Sequence, residues 1–277
     1  MKHIAFLASF FVLTTAYRDA RVTVPLLDAK EEVTRILSLF GHSVNLQSAT
    51  IRTSTTARGV TIDEISVNHP RLGTVFCLYN RSTGKVTISS SLEWDRKRGL
   101  RRTGDLRWAN ESEARGYVQF LCNQLRGPAL GRMARFWYSV DVVENGRFRR
   151  PGRVGAEFEF LVYGYPVNDH FCGFNFSLDP QDGALYMFES NPKTPNVSAP
   201  APPISEMEAR DRLRSVRTHL SQQDVLSREA VLGWATPTGE SVPVLSYRFR
   251  SNERGRIMDR GDQFVEARVG GRVWSES

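Results

Sequence analysis

The sequence predicts an α+β fold built from two to three diverged units, each with one helix packed on an antiparallel sheet. A short polar residue followed three positions later by glutamate has the pattern of a helix capping box. This pattern occurs at Asp28, Asn110 and Ser205. Stretches of alternating apolar residues follow each box, as is typical of strands. The last hairpin of each unit is predicted to close on a glycine, at Gly84, Gly183 and Gly271.

The first residues predict a targeting segment. Lys2 and His3 precede an apolar run at 4–13, and small residues at 14–16 suit a signal peptidase. We therefore predict a signal peptide at 1–16, and a secreted, periplasmic or cell-envelope location. A membrane anchor is the alternative, but the run is shorter than the roughly 20 residues that a spanning helix needs. We predict no transmembrane segment after signal cleavage.

The first predicted unit covers residues 17–95. After the box at Asp28, apolar residues at helical spacing predict a helix that ends near Gly41. Strands are predicted at 59–67, 75–79 and 85–91, with a turn at 80–84 between the last two. The turn contains asparagine, serine and glycine, which favour tight turns.

The second predicted unit covers residues 105–192. A helix runs from the box at Asn110 to Gly127, where glycine and proline end it. Strands are predicted at 133–143, 156–165 and 171–178, and a last strand follows the turn Asp179–Gly183. Residues 193–203, rich in proline, predict an extended linker. The third unit, 204–277, begins with a helix at Ser205 and continues with strands at 225–235, 242–250 and 263–274.

The chain carries a formal charge of +7, and arginine clusters in several predicted loops. It contains three cysteines, Cys77, Cys122 and Cys172, whose spacing matches no zinc motif. An odd number excludes complete pairing within one chain. A Cys122–Cys172 disulfide and three buried free thiols are both compatible with the sequence, and the second is the commoner arrangement.

Several short motifs carry a family resemblance. They are the turn Asp179…Gly183-Ala-Leu185, its counterpart Asn80…Gly84-Lys-Val86 with asparagine for the acid, the terminal stretch 264–273, Tyr163-Gly-Tyr-Pro-Val167, and Leu245-Ser-Tyr-Arg-Phe249. On these motifs the chain resembles the PepSY and YcdB-type repeat domains of exported bacterial proteins. The resemblance implies cystatin-like units, in which a sheet wraps a helix. It also implies a non-catalytic role, because related domains occur in propeptides that restrain secreted peptidases.

No catalytic pattern stands out, so we predict a protein that is not an enzyme and that needs no cofactor or metal. The sequence lacks His-Glu-x-x-His, Gly-x-Ser-x-Gly and a P-loop. His170 beside Cys172 could form a nucleophilic pair, and Glu157 with Glu159 could act as acid and base. The simpler interpretation of the two glutamates is the solvent face of an antiparallel strand.

We therefore expect an exported module that binds a protein partner, with a secreted peptidase as the partner that the resemblance implies. Exposed strand edges can accept an extended peptide. Candidates to line such a groove are Trp137, Tyr138, Tyr163 and Tyr165, unless they are core aromatics. The alternative is an envelope protein that binds an anionic polymer through an arginine-rich loop. Its residues would be Arg96, Lys97, Arg98, Arg101 and Arg102.

Overall fold

The computed structural model describes residues 28–92, 106–127, 129–144, 147–168, 170–220, 222–226, 228–250 and 262–275. It confirms the α+β class. An eight-stranded and a four-stranded sheet, both antiparallel, carry the core residues together with the helices, and a separate two-stranded hairpin accompanies them.

The described residues of the first part, 28–92, form helix α1 and four strands. They are α1 (Ala29–Leu39), β1 (Thr50–Thr55), β2 (Thr61–His69), β3 (Gly73–Asn80) and β4 (Val86–Ser90), with a 3₁₀ turn at Leu46–Ser48. Helix α1 begins where the sequence predicts, because the Asp28 carboxylate accepts the amide of Lys30 at 3.4 Å. Its apolar stripe is buried, with Val33, Ile36 and Leu37 fully enclosed.

The second part forms one helix and six strands. They are α2 (Glu111–Arg126), β5 (Gly131–Ser139), β6 (Val142–Glu144), β7 (Arg147–Arg150), β8 (Arg153–Phe160), β9 (Gly173–Leu178) and β10 (Leu185–Asn191). The Asn110 side chain caps α2 by accepting the amide of Glu113 at 3.0 Å. Among the described strands, β6 and β7 pair only with each other.

The described residues of the third part form two helices and a four-stranded meander. They are α3 (Glu206–Val216), α4 (Gln222–Leu226), β11 (Glu229–Ala235), β12 (Val244–Arg250), β13 (Gln263–Glu266) and β14 (Val273–Ser275). Ser205 and Glu208 form a complete capping box at α3. The sequence predicted a strand at 225–235. The structure instead has helix α4 at the start of this range, and strand β11 begins at Glu229.

One large sheet joins the first two parts of the chain. Its strand order is β1-β2-β3-β4-β10-β9-β8-β5, so β4 and β10 pair at the centre. At this seam Phe188 lies opposite Ile88 on one side and Phe176 on the other. The expectation that each helix lies on a sheet of its own is therefore wrong for α1 and α2. Both helices contribute to one core on one side of the large sheet, and we call the other side the open face.

The turns before β4 and β10 share one construction. In each, a side-chain oxygen of the first residue, Asn80 or Asp179, accepts the amide two residues on. In each, the amide of the closing glycine returns to the carbonyl of that first residue, at 2.8 Å for Gly84 and 2.9 Å for Gly183. Both glycines have positive φ, as such a turn requires. The turn before β14 differs, since the positive φ there belongs to Gly270 rather than to the predicted Gly271.

All three cysteines are buried free thiols. The Cys122–Cys172 pairing that the sequence left open is not formed. Burial raises the pKa of Cys77 and of Cys122 to about 12, because an apolar environment disfavours the thiolate. Cys172 donates to the carbonyl of Lys193 at 3.4 Å.

Candidate functional site

The two main sheets end in four edge strands, β1 and β5 in the large sheet and β11 and β14 in the small one. An edge strand presents unpaired backbone groups to which another chain can add. Natural proteins protect such edges with bulges, charges, short strands or covering segments. The four edges therefore differ in how readily they accept a partner.

Three of these edges carry a protective feature. Strand β5 has an irregularity between Met133 and Arg135, which interrupts a regular ladder. Strand β14 has only three residues. Strand β11 is already covered, because Trp234 and the segment 166–168 exchange backbone hydrogen bonds of 2.7 and 2.8 Å around a parallel bridge to Val167. The absence of a side chain at Gly233 permits this approach, since an added Cβ would lie 2.6 Å from the Pro166 carbonyl oxygen.

Strand β1 is the open edge. All six residues, Thr50–Thr55, are exposed, and they pair with β2 in an uninterrupted register. The strand contains no proline and one charged residue, Arg52. Within the described part of the chain, no strand lies on its outer side. Strand β1 thus has none of the protective features found at the other three edges.

The hydrogen bonds around β1 show which backbone groups face outward. The amide of Thr56 donates to Val60 at 2.9 Å, and the carbonyl of Thr61 accepts from Arg81, on the β3 side, at 3.0 Å. Because backbone groups alternate in direction along an antiparallel ladder, Thr55, the partner of Thr61, faces away from β2. The same alternation turns the N–H and C=O groups of Ile51 and Thr53 outward.

An ion pair between the buried Asp63 carboxylate and the exposed Arg81 side chain fixes the middle of this edge. The Asp63 carboxylate on β2 accepts the Thr53 hydroxyl at 2.7 Å and two guanidinium N–H groups of Arg81 at 2.7 and 2.8 Å. These hydrogen bonds hold the pKa of Asp63 below its usual range, and those from Arg81 have the largest effect. Thr53 is thereby anchored through its side chain while its backbone faces outward.

The four predicted aromatic residues do not form one groove. Trp137 lies on the open face of β5, directly opposite Gly155. Tyr138 points to the helix side, and its hydroxyl donates to the Trp108 carbonyl at 3.4 Å. The other two lie in a separate turn. Tyr163 is 54% exposed and has a positive φ, and Tyr165 packs against the core of the small sheet.

The predicted polymer-binding residues Arg96, Lys97, Arg98, Arg101 and Arg102 lie outside the described residues. Polymer binding therefore stays a prediction from the sequence. Two arginines of β5, which were not part of that prediction, are engaged with carboxylates. Arg132 contacts Glu159 at 3.0 Å, and Arg135 contacts Glu157 at 3.9 Å. Glu157 and Glu159 thus form cross-strand ion pairs on the open face, where the sequence placed them.

The other candidate sites, for a cysteine nucleophile, a metal ion or a ligand in a groove, have less support than the open edge at β1. Cys172 is 3% exposed, and its thiol is engaged with a backbone carbonyl. The described residues bring together no group of three or more histidine, cysteine or acidic side chains that could hold a metal ion. A groove of about 370 Å³ lies between the proline-rich segment and the small sheet. The one carboxylate in its lining, Glu266, pairs with Arg268 at 2.7 Å and with Arg272 at 3.1 Å.

The helices in the described ranges are all too short or too polar to cross a membrane. Comparison with protein-family models, with curated proteins and with solved structures found no match to this chain.

Proposed function

We propose that this protein is an exported, non-enzymatic binding module that receives an extended segment of a protein partner along β1. The observation that carries the proposal is the open edge. Six exposed residues lie in a regular register with β2, and the backbone groups of Ile51, Thr53 and Thr55 face outward. A partner strand would extend the large sheet by pairing with these groups.

The molecule itself supports this mode of binding. Its β4–β10 seam joins two four-strand sets edge to edge, and segment 166–168 adds to β11. Backbone pairing at exposed edges therefore holds this protein together in two places. A third addition at β1 would use the same chemistry and would need no conformational change in the described residues.

Backbone hydrogen bonds alone would give modest affinity. Each contributes a net of about 0.5–1.5 kcal/mol, and the partner also loses conformational freedom. Further affinity is available from Phe76 and Leu78, which are 55% and 48% exposed on the open face of β3. They lie two strands in from β1, or about 10 Å at the usual strand spacing. A partner that continues over this face would bury both side chains.

A secreted peptidase is the partner class to test first, because the resemblance to PepSY-type domains implies it. The bait is residues 17–277, incubated with the medium and envelope of the producing cells, cross-linked, and analysed by mass spectrometry. We compare the wild type with Thr53→Pro and Thr53→Val. Both variants lose the hydroxyl bond to Asp63. Only proline also removes the outward N–H, and it leaves the β1–β2 hydrogen bonds in place.

We expect the wild type and Thr53→Val to enrich the same partner and Thr53→Pro to lose it. Circular dichroism should be unchanged for both variants, and Tm should fall by a similar small amount in the two, because both lose the hydroxyl bond to Asp63. Equal enrichment by all three would refute binding at β1 while leaving a binding function elsewhere. Enrichment of no protein by the wild type would refute the binding function itself.

A further inference from the structure

A buried histidine connects the first part of the chain to the turn before β10. His42 follows α1 and is 2% exposed. Its Nε2 accepts the backbone amide of Leu185 at 3.3 Å. The ring is therefore deprotonated at Nε2 and carries its proton on Nδ1. That Nδ1 is buried and has no hydrogen-bond partner among the described residues.

The charged and titratable groups around His42 come from two hairpins and from the segment before α2. His69, at the end of β2, lies with its ring centroid 5.4 Å away. Its Nδ1 accepts the amides of Arg71 and Leu72, each at 3.2 Å, so it too is neutral. Arg71 pairs with Asp182 of the β9–β10 turn at 3.5 Å. Arg107 also reaches this turn and donates to the Asp182 carbonyl at 2.9 Å.

We propose that His42 is an acid-sensitive contact, and that its protonation releases the start of β10 from the loop after α1. A protonated imidazole carries hydrogen on both nitrogens, so Nε2 can no longer accept the Leu185 amide. The new positive charge would be buried beside His69 and near Arg71. Among the described residues, Asp182 is the carboxylate that favours the charge, and it is already paired with Arg71.

The direction of the pH dependence follows from the neutral state of the buried ring. Burial, and then the proximity of His69 and Arg71, lower the pKa of His42 from 6.5 to about 4. The open form, with an ordinary histidine, therefore binds more protons than the closed form between these two values. The contact is fully stabilising above pH 6.5, and its contribution is lost as the pH falls toward 4. Over that range the opening equilibrium rises by about a hundredfold.

The opening is local because the other contacts described between the start of β10 and the first part of the chain do not depend on His42. The Ser90 hydroxyl donates to the Leu185 carbonyl at 2.7 Å, and Arg71 holds the turn through Asp182. The rest of β10 is secured by its pairing with β4 and β9. Loss of the His42 contact would therefore loosen residues near Leu185 before the centre of the seam.

The test compares the wild-type chain with His42→Gln, in which an amide oxygen can accept the Leu185 amide and does not titrate. Hydrogen exchange is followed between pH 7 and pH 4, and protection factors correct for the intrinsic rate. We expect protection of Leu185 to fall about a hundredfold more in the wild type than in His42→Gln. Protection of Phe176, in the middle of β9, should not differ between them.

A second measurement needs no variant. Titration of the wild-type histidine ring signals by NMR should show His42 changing charge near pH 4. The same acid dependence at Leu185 in both chains, or titration of His42 at an ordinary value near 6.5, would overturn the proposal. The matched substitution His69→Gln should retain the acid sensitivity of Leu185, because it leaves His42 in place.

Discussion

Removal of the Phe188 ring should destabilise the whole large sheet. Phe188 is 2% exposed at the β4–β10 seam, and its ring contacts Phe40 at 6.0 Å and Phe174 at 6.3 Å between centroids. Phe188→Ala removes a buried ring where helix and strand residues from both halves meet. Substitutions of this kind cost about 3–5 kcal/mol through lost burial and the cavity left behind.

The assay is thermal and urea unfolding followed by circular dichroism, with hydrogen exchange to report on each half separately. For a domain of this size, about 4 kcal/mol corresponds to a fall in Tm of roughly 8–16 °C. Because one core spans both halves, we expect protection in α1 and in α2 to be lost together.

Phe76→Ala is the matched control. It removes the same ring from the neighbouring half of the sheet, but Phe76 is 55% exposed on the open face. We expect a change within about 0.5 kcal/mol, as for other surface substitutions. Similar losses for both variants, or two separate transitions of which Phe188→Ala shifts only one, would refute the reasoning that the seam unites the halves.

Two further predictions concern the small sheet and the thiols. Gly233→Ala places a methyl group against the backbone of segment 166–168. We expect this overpacking to lower the free energy of unfolding by about 1–3 kcal/mol. Faster limited proteolysis in segment 166–168 would support this prediction, and an unchanged digestion pattern would contradict it. Cys77 and Cys122 should resist alkylation at pH 8 until the protein unfolds, because burial raises the pKa of both thiols to about 12. Mass spectrometry counts the labelled thiols, and rapid labelling of the folded chain would show that these cysteines are accessible.

The local features of this fold could be predicted from the sequence. All three helices that follow a predicted capping pattern begin there, since a polar side chain satisfies the first amides. The turns at Gly84 and Gly183 also form as expected. Both features depend on residues close together in the chain, whose chemistry the sequence shows directly.

Strand β1 was not predicted, because all of its residues are exposed, and this same exposure makes it the candidate site. Its sequence, Thr-Ile-Arg-Thr-Ser-Thr, has no alternation because all six residues are exposed. Alternation of apolar and polar residues indicates that one face of a strand is buried, and an edge strand that no helix covers has no buried face. The polar, β-branched composition was the signal that could have indicated it.

The seam was missed for a different reason. Side-chain alternation tells which face of a strand is buried but not which strand lies beside it. The sequence therefore suggested separate sheets, and it grouped Trp137 and Tyr138 although adjacent residues of a strand point to opposite faces. Whether a strand edge is free or covered depends on pairing between distant segments, such as 166–168 with β11.

The central seam also limits when the large sheet can fold during synthesis. Phe188 pairs with Ile88, one hundred residues earlier. At a synthesis rate of about 5–20 residues per second, β4 waits roughly 5–20 s for its partner to be made. During that interval Val86–Ser90 would be an unpaired strand edge, to which the edge of another chain could add in place of β10.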